Sequence, residues 1–205
     1  AHAFAMDGVE YFGTIGFLKA GLARADRITT VSPRYAMEIR TPEFGMGLDG
    51  LLRKRAGVLA GILNGIDTEY WDPARDPHLA QRFDAGTLAK RSANKSALQA
   101  RLGLEARADA PLFGVVSRLT WQKGMDVLLE AVDDLVALGG QLALVGSGEA
   151  ALEAGLAAAA ARHPGRVGIL IGFDEGAAHL VQGGADALIG MIGLGVALVI
   201  VVAAS

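Results

Sequence analysis

Two cations stand where a strand gives way to a helix. In "FGVVSRLTWQKG" (113–124) the apolar run Phe113 to Val116 opens into Ser117 and Arg118, and Lys123 follows beside Gly124. The next segment, "MDVLLEAVDDLVAL", carries Val127, Leu128, Ala131, Leu135 and Leu138 at helical spacing. A helix N-terminus bears partial positive charge and disfavours cations. A phosphate or diphosphate between Arg118 and Lys123 resolves that conflict, with the free helix N–H groups as additional donors. The alternative is a solvated pair in an exposed loop, where screening makes the repulsion small.

Three further stretches carry candidate chemistry. "VGSGEAA" (145–151) is a second strand–turn–helix junction with Gly146 and Gly148. It fits G-x-G-x-x-A, but no acidic residue follows about twenty positions on, so a dinucleotide fingerprint is weakly supported and a tight turn is the plainer reading. "IGFDE" (171–175) is a third junction, with Asp174 as an N-cap candidate. There Phe173 either packs at the sheet edge, the commoner role, or stacks on a flat base. In "ILNGIDTEYWDP" (62–73) Asn64 and Gly65 form a turn dipeptide whose amide could also hydrogen-bond a sugar hydroxyl or phosphate. The histidines at 2, 78, 163 and 179 show no metal-ligand spacing and read as surface or capping residues. No G-x-S-x-G or H-E-x-x-H occurs, which removes support for hydrolase and metalloprotease readings.

The elements that must position these residues alternate. From Ala110 onward, strands are expected at 112–116, 141–145, 167–171 and 185–189, with helices at 123–138, 149–162 and 174–182. Short apolar strands flanked by glycine or polar turns suit a parallel sheet covered on both faces, hence a doubly wound α/β unit. Its ligand crevice lies at the carboxyl ends of the strands, where all three junctions fall. Before it, a helix is expected at 17–25, a strand at 27–32, a short helix opened by Pro33 with Ser32 as N-cap, and a strand at 58–64. A Pro- and Asp-rich loop and a helix at 86–102 follow. This reads as two units joined near 64–67, the first with too few strands to close its own sheet.

With 205 residues, 52 % hydrophobic and 20 % charged, the chain can bury an ample core. A net charge of −3 argues against nucleic acid as partner. The absence of cysteine removes disulfides, thiolate nucleophiles and zinc–sulfur sites. "AHAFAMDG" has no initiator Met and no signal-peptide pattern, so the chain is expected to be an internal piece of a longer protein. The 18-residue run Ala187 to Ala204 has no charged side chain. As a helix it would reach roughly 27 Å, short of a ~30 Å hydrocarbon core, and no basic residue flanks it. A buried strand with a foreign tail is preferred over a membrane span.

Taken together, the stretches "MDGVEYFGTIGFLKAGLARADRITTVSPRYAMEIRTPEFGMGLDGLLRKRAGVLAGILNGIDTEYWDP", "PLFGVVSRLTWQKGMDVLLEAV", "GGQLALVGSGEAALE", "RHPGRVGILIGFDE" and "GGADALI" resemble the bacterial glycogen synthases and plant starch synthases. These are retaining glycosyltransferases that use ADP-glucose and extend an α-1,4-glucan. The resemblance implies a GT-B architecture of two Rossmann-like domains. Residues 1–66 would end the first, acceptor-side domain, and 67–110 would be the interdomain loop and helix. Residues 111–189 would begin the nucleotide-sugar-binding domain, and 190–205 would be a divergent apolar tail. It implies that Arg118 and Lys123 grip the donor diphosphate and that Phe173 lies beside the adenine. Asn64 and Gly65 would stand at the donor sugar, and Gly146 and Gly148 in a loop near the nucleotide. No metal or cofactor is implied, and the location is expected to be cytoplasmic. After "GGADALI" the family has a Pro-Ser-Arg-Phe-Glu-Pro-Cys-Gly run and a further glutamate, whereas this chain reads "GMIGLGVALVIVVAAS". The family's Lys-Thr-Gly-Gly loop is also absent, so the chain alone is expected not to elongate glycogen. Other readings are a relative using a different nucleotide sugar and a non-catalytic nucleotide- or glucan-binding remnant.

Overall fold

The structure, a computed structural model, describes residues 4, 8–191 and 198–202. It divides into two units, Ala1–Ile66 and Asp67–Ser205.

In the first unit a hairpin pairs β1 (Glu10–Tyr11) with β2 (Thr14–Ile15). Then come α1 (Phe17–Arg24), β3 (Ile28–Thr30), α2 (Pro33–Glu38), α3 (Asp49–Lys54) and β4 (Leu59–Gly61), which pairs parallel with β3. Ser32 Oγ caps α2 by accepting from the Tyr35 N–H at 2.9 Å. Pro33 sits at the first helical position, where its missing N–H costs nothing. Both strands are shorter than the apolar runs suggest. Among the described residues each has one neighbour, and the ladder ends at the Ile62 N–H to Thr30 carbonyl bond. Residues 62–67 form no regular structure, and Asn64–Gly65 makes no turn. Neither residue has the positive φ that a two-residue hairpin turn demands, because no second antiparallel strand follows.

The second unit runs α4 (Arg91–Arg101), β5 (Leu112–Val116), α5 (Met125–Ala137), β6 (Gln141–Gly146), α6 (Ala150–Arg162), β7 (Val167–Ile171), α7 (Glu175–Gly184), β8 (Ala187–Met191) and β9 (Leu198–Val202). The strand order is β7-β6-β5-β8-β9, with β5 to β8 parallel and β9 antiparallel to β8. The chain winds outward from β5 through β6 to β7, then crosses back to place β8 on the other side of β5. That makes the gap between β5 and β8 a topological switch point. Alternation along β6 splits the core: Leu142 and Leu144 face α5 and α6, while Ala143 and Val145 face α4 and α7. The apolar tail expected from 190 lies in part outside the described residues, which hold only the backbone of β9 beyond Met191. No helix among the described residues is long and apolar enough to cross a membrane.

Two helices differ from the pattern-based expectation. α4 begins at Arg91 after a separate 3-10 turn, Leu88–Lys90, rather than at Gly86. α5 begins at Met125 because Trp121–Lys123 forms its own 3-10 turn and Gly124 adopts φ 62° between them. The buried line of α5 is therefore Met125, Leu128 and Val132, with Val127, Ala131 and Leu138 exposed.

Candidate functional site

Three strand–helix junctions line the carboxyl edge of the large sheet, and close backbone approach fixes the first against the second. The Leu119 N–H donates to the Ser147 carbonyl at 2.9 Å, and the Glu149 N–H donates to the Leu119 carbonyl at 2.8 Å. Leu119 and Gly148 thus form a parallel bridge beyond the ends of β5 and β6. A Cβ at Gly148 would lie 2.6 Å from the Leu119 carbonyl carbon, and one at Gly146 would strike the Ser117 carbonyl oxygen. Only glycine lets the Arg118 loop lie there. Gly146 and Gly148 are thereby placed as supports for that loop.

The three junctions differ in how their donors are used. At β7–α7, Asp174 Oδ1 accepts from the Ala177 N–H at 2.8 Å. That bond, with the Arg101 guanidinium 2.7 Å away, holds the Asp174 carboxyl below the usual carboxylate range. At β6–α6, Glu153 Oε1 accepts from the Gly148 N–H at 2.8 Å. At β5–α5 the cap position is Gly124, which has no side chain to offer. No side chain among the described residues accepts from the first-turn Asp126 and Val127 N–H groups. Arg118 is exposed and Lys123 half-buried, and among the described residues neither forms an ion pair. So carboxylates bond backbone N–H groups at two of the junctions, while at the third Asp126 bonds none and two cations lack an ion-pair partner among the described residues.

Phe173 is 90 % exposed, directly after Gly172 at φ 129°. Edge packing is therefore excluded for this ring. Arg118, Lys123, Gly146, Gly148 and Phe173 share the carboxyl edge of one sheet, whereas Asn64 and Gly65 belong to the other unit, where both are exposed. A cavity of about 390 Å³ in that unit, bordered by Arg24, Asp26, Lys54 and Arg55, contains none of them. Among the described residues, no group of three or more His, Asp or Glu is placed to hold a metal ion.

Sequence reasoning missed one polar cluster and misplaced a histidine. His179 is 1 % exposed, not a surface residue, and its Nδ1 lies 2.7 Å from Asp76 Oδ2. A carboxylate only accepts, so Nδ1 carries the proton. Trp71 stacks on the His179 ring at 3.9 Å with planes 8° apart, and Tyr70 meets it edge-on. The Tyr70 hydroxyl donates to Glu175, and that bond holds its pKa above the ordinary phenol range. The available signal was the pairing of "YWDP" with a histidine on an apolar helix face.

Comparison with known proteins identifies the fold and the family. A family model described as the starch synthase catalytic domain matches residues 1–54. Glycogen synthase from Mesorhizobium japonicum is 59 % identical over 92 % of this chain and 39 % of its own length. Glycogen synthase from Acidiphilium cryptum is 61 % identical over 92 % of this chain and 40 % of its own length. The chain belongs to the glycogen synthase and starch synthase family. Among solved structures, the catalytic domain of starch synthase IV from Arabidopsis thaliana, bound to ADP and acarbose, aligns with TM-score 0.84 and 34 % identity. That alignment covers 91 % of this chain and 39 % of the other. The α/β units are those of a GT-B glycosyltransferase catalytic domain of this family. The chain spans about two fifths of the length of the curated family members it matches.

Proposed function

We propose that this chain supplies the diphosphate- and base-binding part of an ADP-glucose:α-1,4-glucan glucosyltransferase that retains anomeric configuration. The observation that carries the reading is the contrast among three equivalent junctions. Asp174 caps α7 and Glu153 engages the Gly148 N–H before α6, and only the α5 junction sets Arg118 and Lys123 beside an uncapped helix start. A bound diphosphate would accept from the Asp126 and Val127 N–H groups and offset the repulsion between two cations and a helix N-terminus. As the sugar–phosphate bond breaks, negative charge builds on the leaving ADP. Fixed cations stabilise that charge more in the transition state than in the ground state. Phe173 stacks on the adenine, Gly146 and Gly148 hold the Arg118 loop, and Asn64 with Gly65 contacts the donor sugar. The glucan is the acceptor, and transfer itself belongs to the whole protein.

The test is ADP affinity by calorimetry for the chain and its Lys123→Glu variant. A charge-assisted hydrogen bond is worth about 1.5–3 kcal/mol, so its removal weakens binding on the order of 10- to 100-fold, and charge reversal adds to that. Unchanged affinity in Lys123→Glu would defeat the site assignment. Titrating UDP-glucose against ADP-glucose checks the donor, and preference for the uridine nucleotide would reject the adenine reading.

A further inference from the structure

Residues 70–79 cross α7 as a strap, and its contacts are unevenly distributed. At the carboxyl-terminal end of α7 the hold is apolar: Leu79 is buried, and a Cβ on Gly183 would lie 2.5 Å from Leu79 Cδ2. The polar and aromatic contacts fall on the first five residues of the helix. Tyr70 donates to Glu175, and Asp76 holds His179, whose ring lies under Trp71. Asp76 itself is fixed by the His78 N–H, which donates to its other oxygen at 2.8 Å. From α4, Arg101 reaches Asp174 at 2.7 Å. Tyr70 and Arg101 thus reach the turn beside Phe173 and Asp76 and Trp71 hold His179 one helical turn further on, while Gly172 on the other side of the ring imposes no side-chain constraint.

Helix packing alone does not need this. The Leu79–Gly183 contact and the buried apolar residues Ala177, Ala178, Leu180 and Val181 already seat the helix. The Tyr70 hydroxyl bond buries no apolar surface and only fixes where the first turn sits. We propose that Tyr70, Asp76 and His179 are positioning residues that set the first turn of α7, so that Phe173 is presented at a fixed place for the flat base of a nucleotide. This rests on the stacking role given to Phe173 above.

Amide hydrogen exchange on the ligand-free chain tests the mechanical half. Tyr70→Phe should speed exchange at 175–179 on the order of threefold to tenfold, the loss of one hydrogen bond to a charged group at a solvent-facing site, and leave β5 and β6 unchanged. Unaltered exchange there would overturn the proposal. The functional half compares affinity for ADP with affinity for inorganic diphosphate. Tyr70→Phe and Asp76→Asn should lose several-fold for ADP and nothing for diphosphate, which lacks a base. An equal loss for both ligands would mark a general destabilisation and overturn the positioning role. Loss of ADP preference in Phe173→Ala but not in Tyr70→Phe overturns the strap and leaves stacking standing. Unchanged preference in Phe173→Ala defeats stacking itself, and with it the strap's part in base binding.

Discussion

Replacing Gly148 by alanine adds one methyl group where backbone leaves no room. The new Cβ would stand 2.6 Å from the Leu119 carbonyl carbon and 2.8 Å from its nitrogen, against about 3.5–4.0 Å for an ordinary contact. The two loops must part by about 1 Å, and backbone cannot swing aside as a side-chain tip can. The backbone φ at Gly148 is not in the left-handed region, so the cost is steric rather than conformational. Parting strains the Leu119–Ser147 and Glu149–Leu119 bonds, each worth about 1 kcal/mol net, and residual overpacking adds about 1–2 kcal/mol more. A destabilisation of about 2–4 kcal/mol follows. For a unit of this size, that lowers the melting midpoint by roughly 5–15 °C. It also moves Arg118, and a 1 Å displacement of a binding group can cost on the order of 100-fold in function. Thermal unfolding by circular dichroism and ADP calorimetry measure the two effects separately. A Gly148→Ala chain melting within a degree of the parent, with undiminished ADP affinity, would refute the claim that this glycine holds the Arg118 loop.

Two further outcomes test other parts of the structure. Gly21 lies on the exposed side of α1, and an added Cβ there would meet nothing within 4 Å, so Gly21→Ala should stabilise the first unit by about 0.5–1 kcal/mol in denaturant titration. Acid should loosen the second unit: Asp174 and Asp133 have carboxyls held below their ordinary range, the first chiefly by the Ala177 N–H, the second chiefly by Arg162 and then His163. Because their folded pKa values lie below the unfolded ones, their stabilisation is present above about pH 4 and lost as pH falls through the folded values. Melting curves between about pH 6 and pH 2 should therefore fall less steeply for Asp133→Asn than for the parent, and parallel curves would remove this account.

The alternation of strands and helices in the second unit is legible because each strand is a continuous apolar run and each helix has a buried stripe. β5 and β7 occupy the residues their patterns mark. What periodicity does not register is a change of backbone conformation within a polar stretch. Gly124 in the left-handed region separates a 3-10 turn from α5, and the apparent stripe through Val127 and Leu138 is set by residues that face solvent. The cations of the proposed site are legible from their types, since no core needs Arg118 or Lys123. The Asp76–His179 pair is not, because the partners are 103 positions apart and meet only through the path of the strap across α7. Asn64–Gly65 misleads for a related reason: the dipeptide favours a turn, but a turn forms only where the next segment returns to pair.

A motif view counts any glycine-rich strand–helix turn as a phosphate cradle, and by that criterion the second junction is the strongest of the three. Its hydrogen bonds argue otherwise. The Gly148 N–H, which would face an anion, is already engaged by a carboxylate of its own helix, so an incoming phosphate would have to displace Glu153 and accept its charge nearby. The third junction has the same difficulty with Asp174. At the first, glycine takes the cap position and lysine precedes it; Asp126 stands in the first turn but accepts no hydrogen bond from a backbone N–H among the described residues, so no cap side chain competes there. If the first junction is the diphosphate site as proposed, selectivity among junctions of the same topology comes from where the chain spends its own carboxylates. The glycines act one step back, by allowing Leu119 and Gly148 to meet backbone to backbone and so fixing the loop on which Arg118 stands.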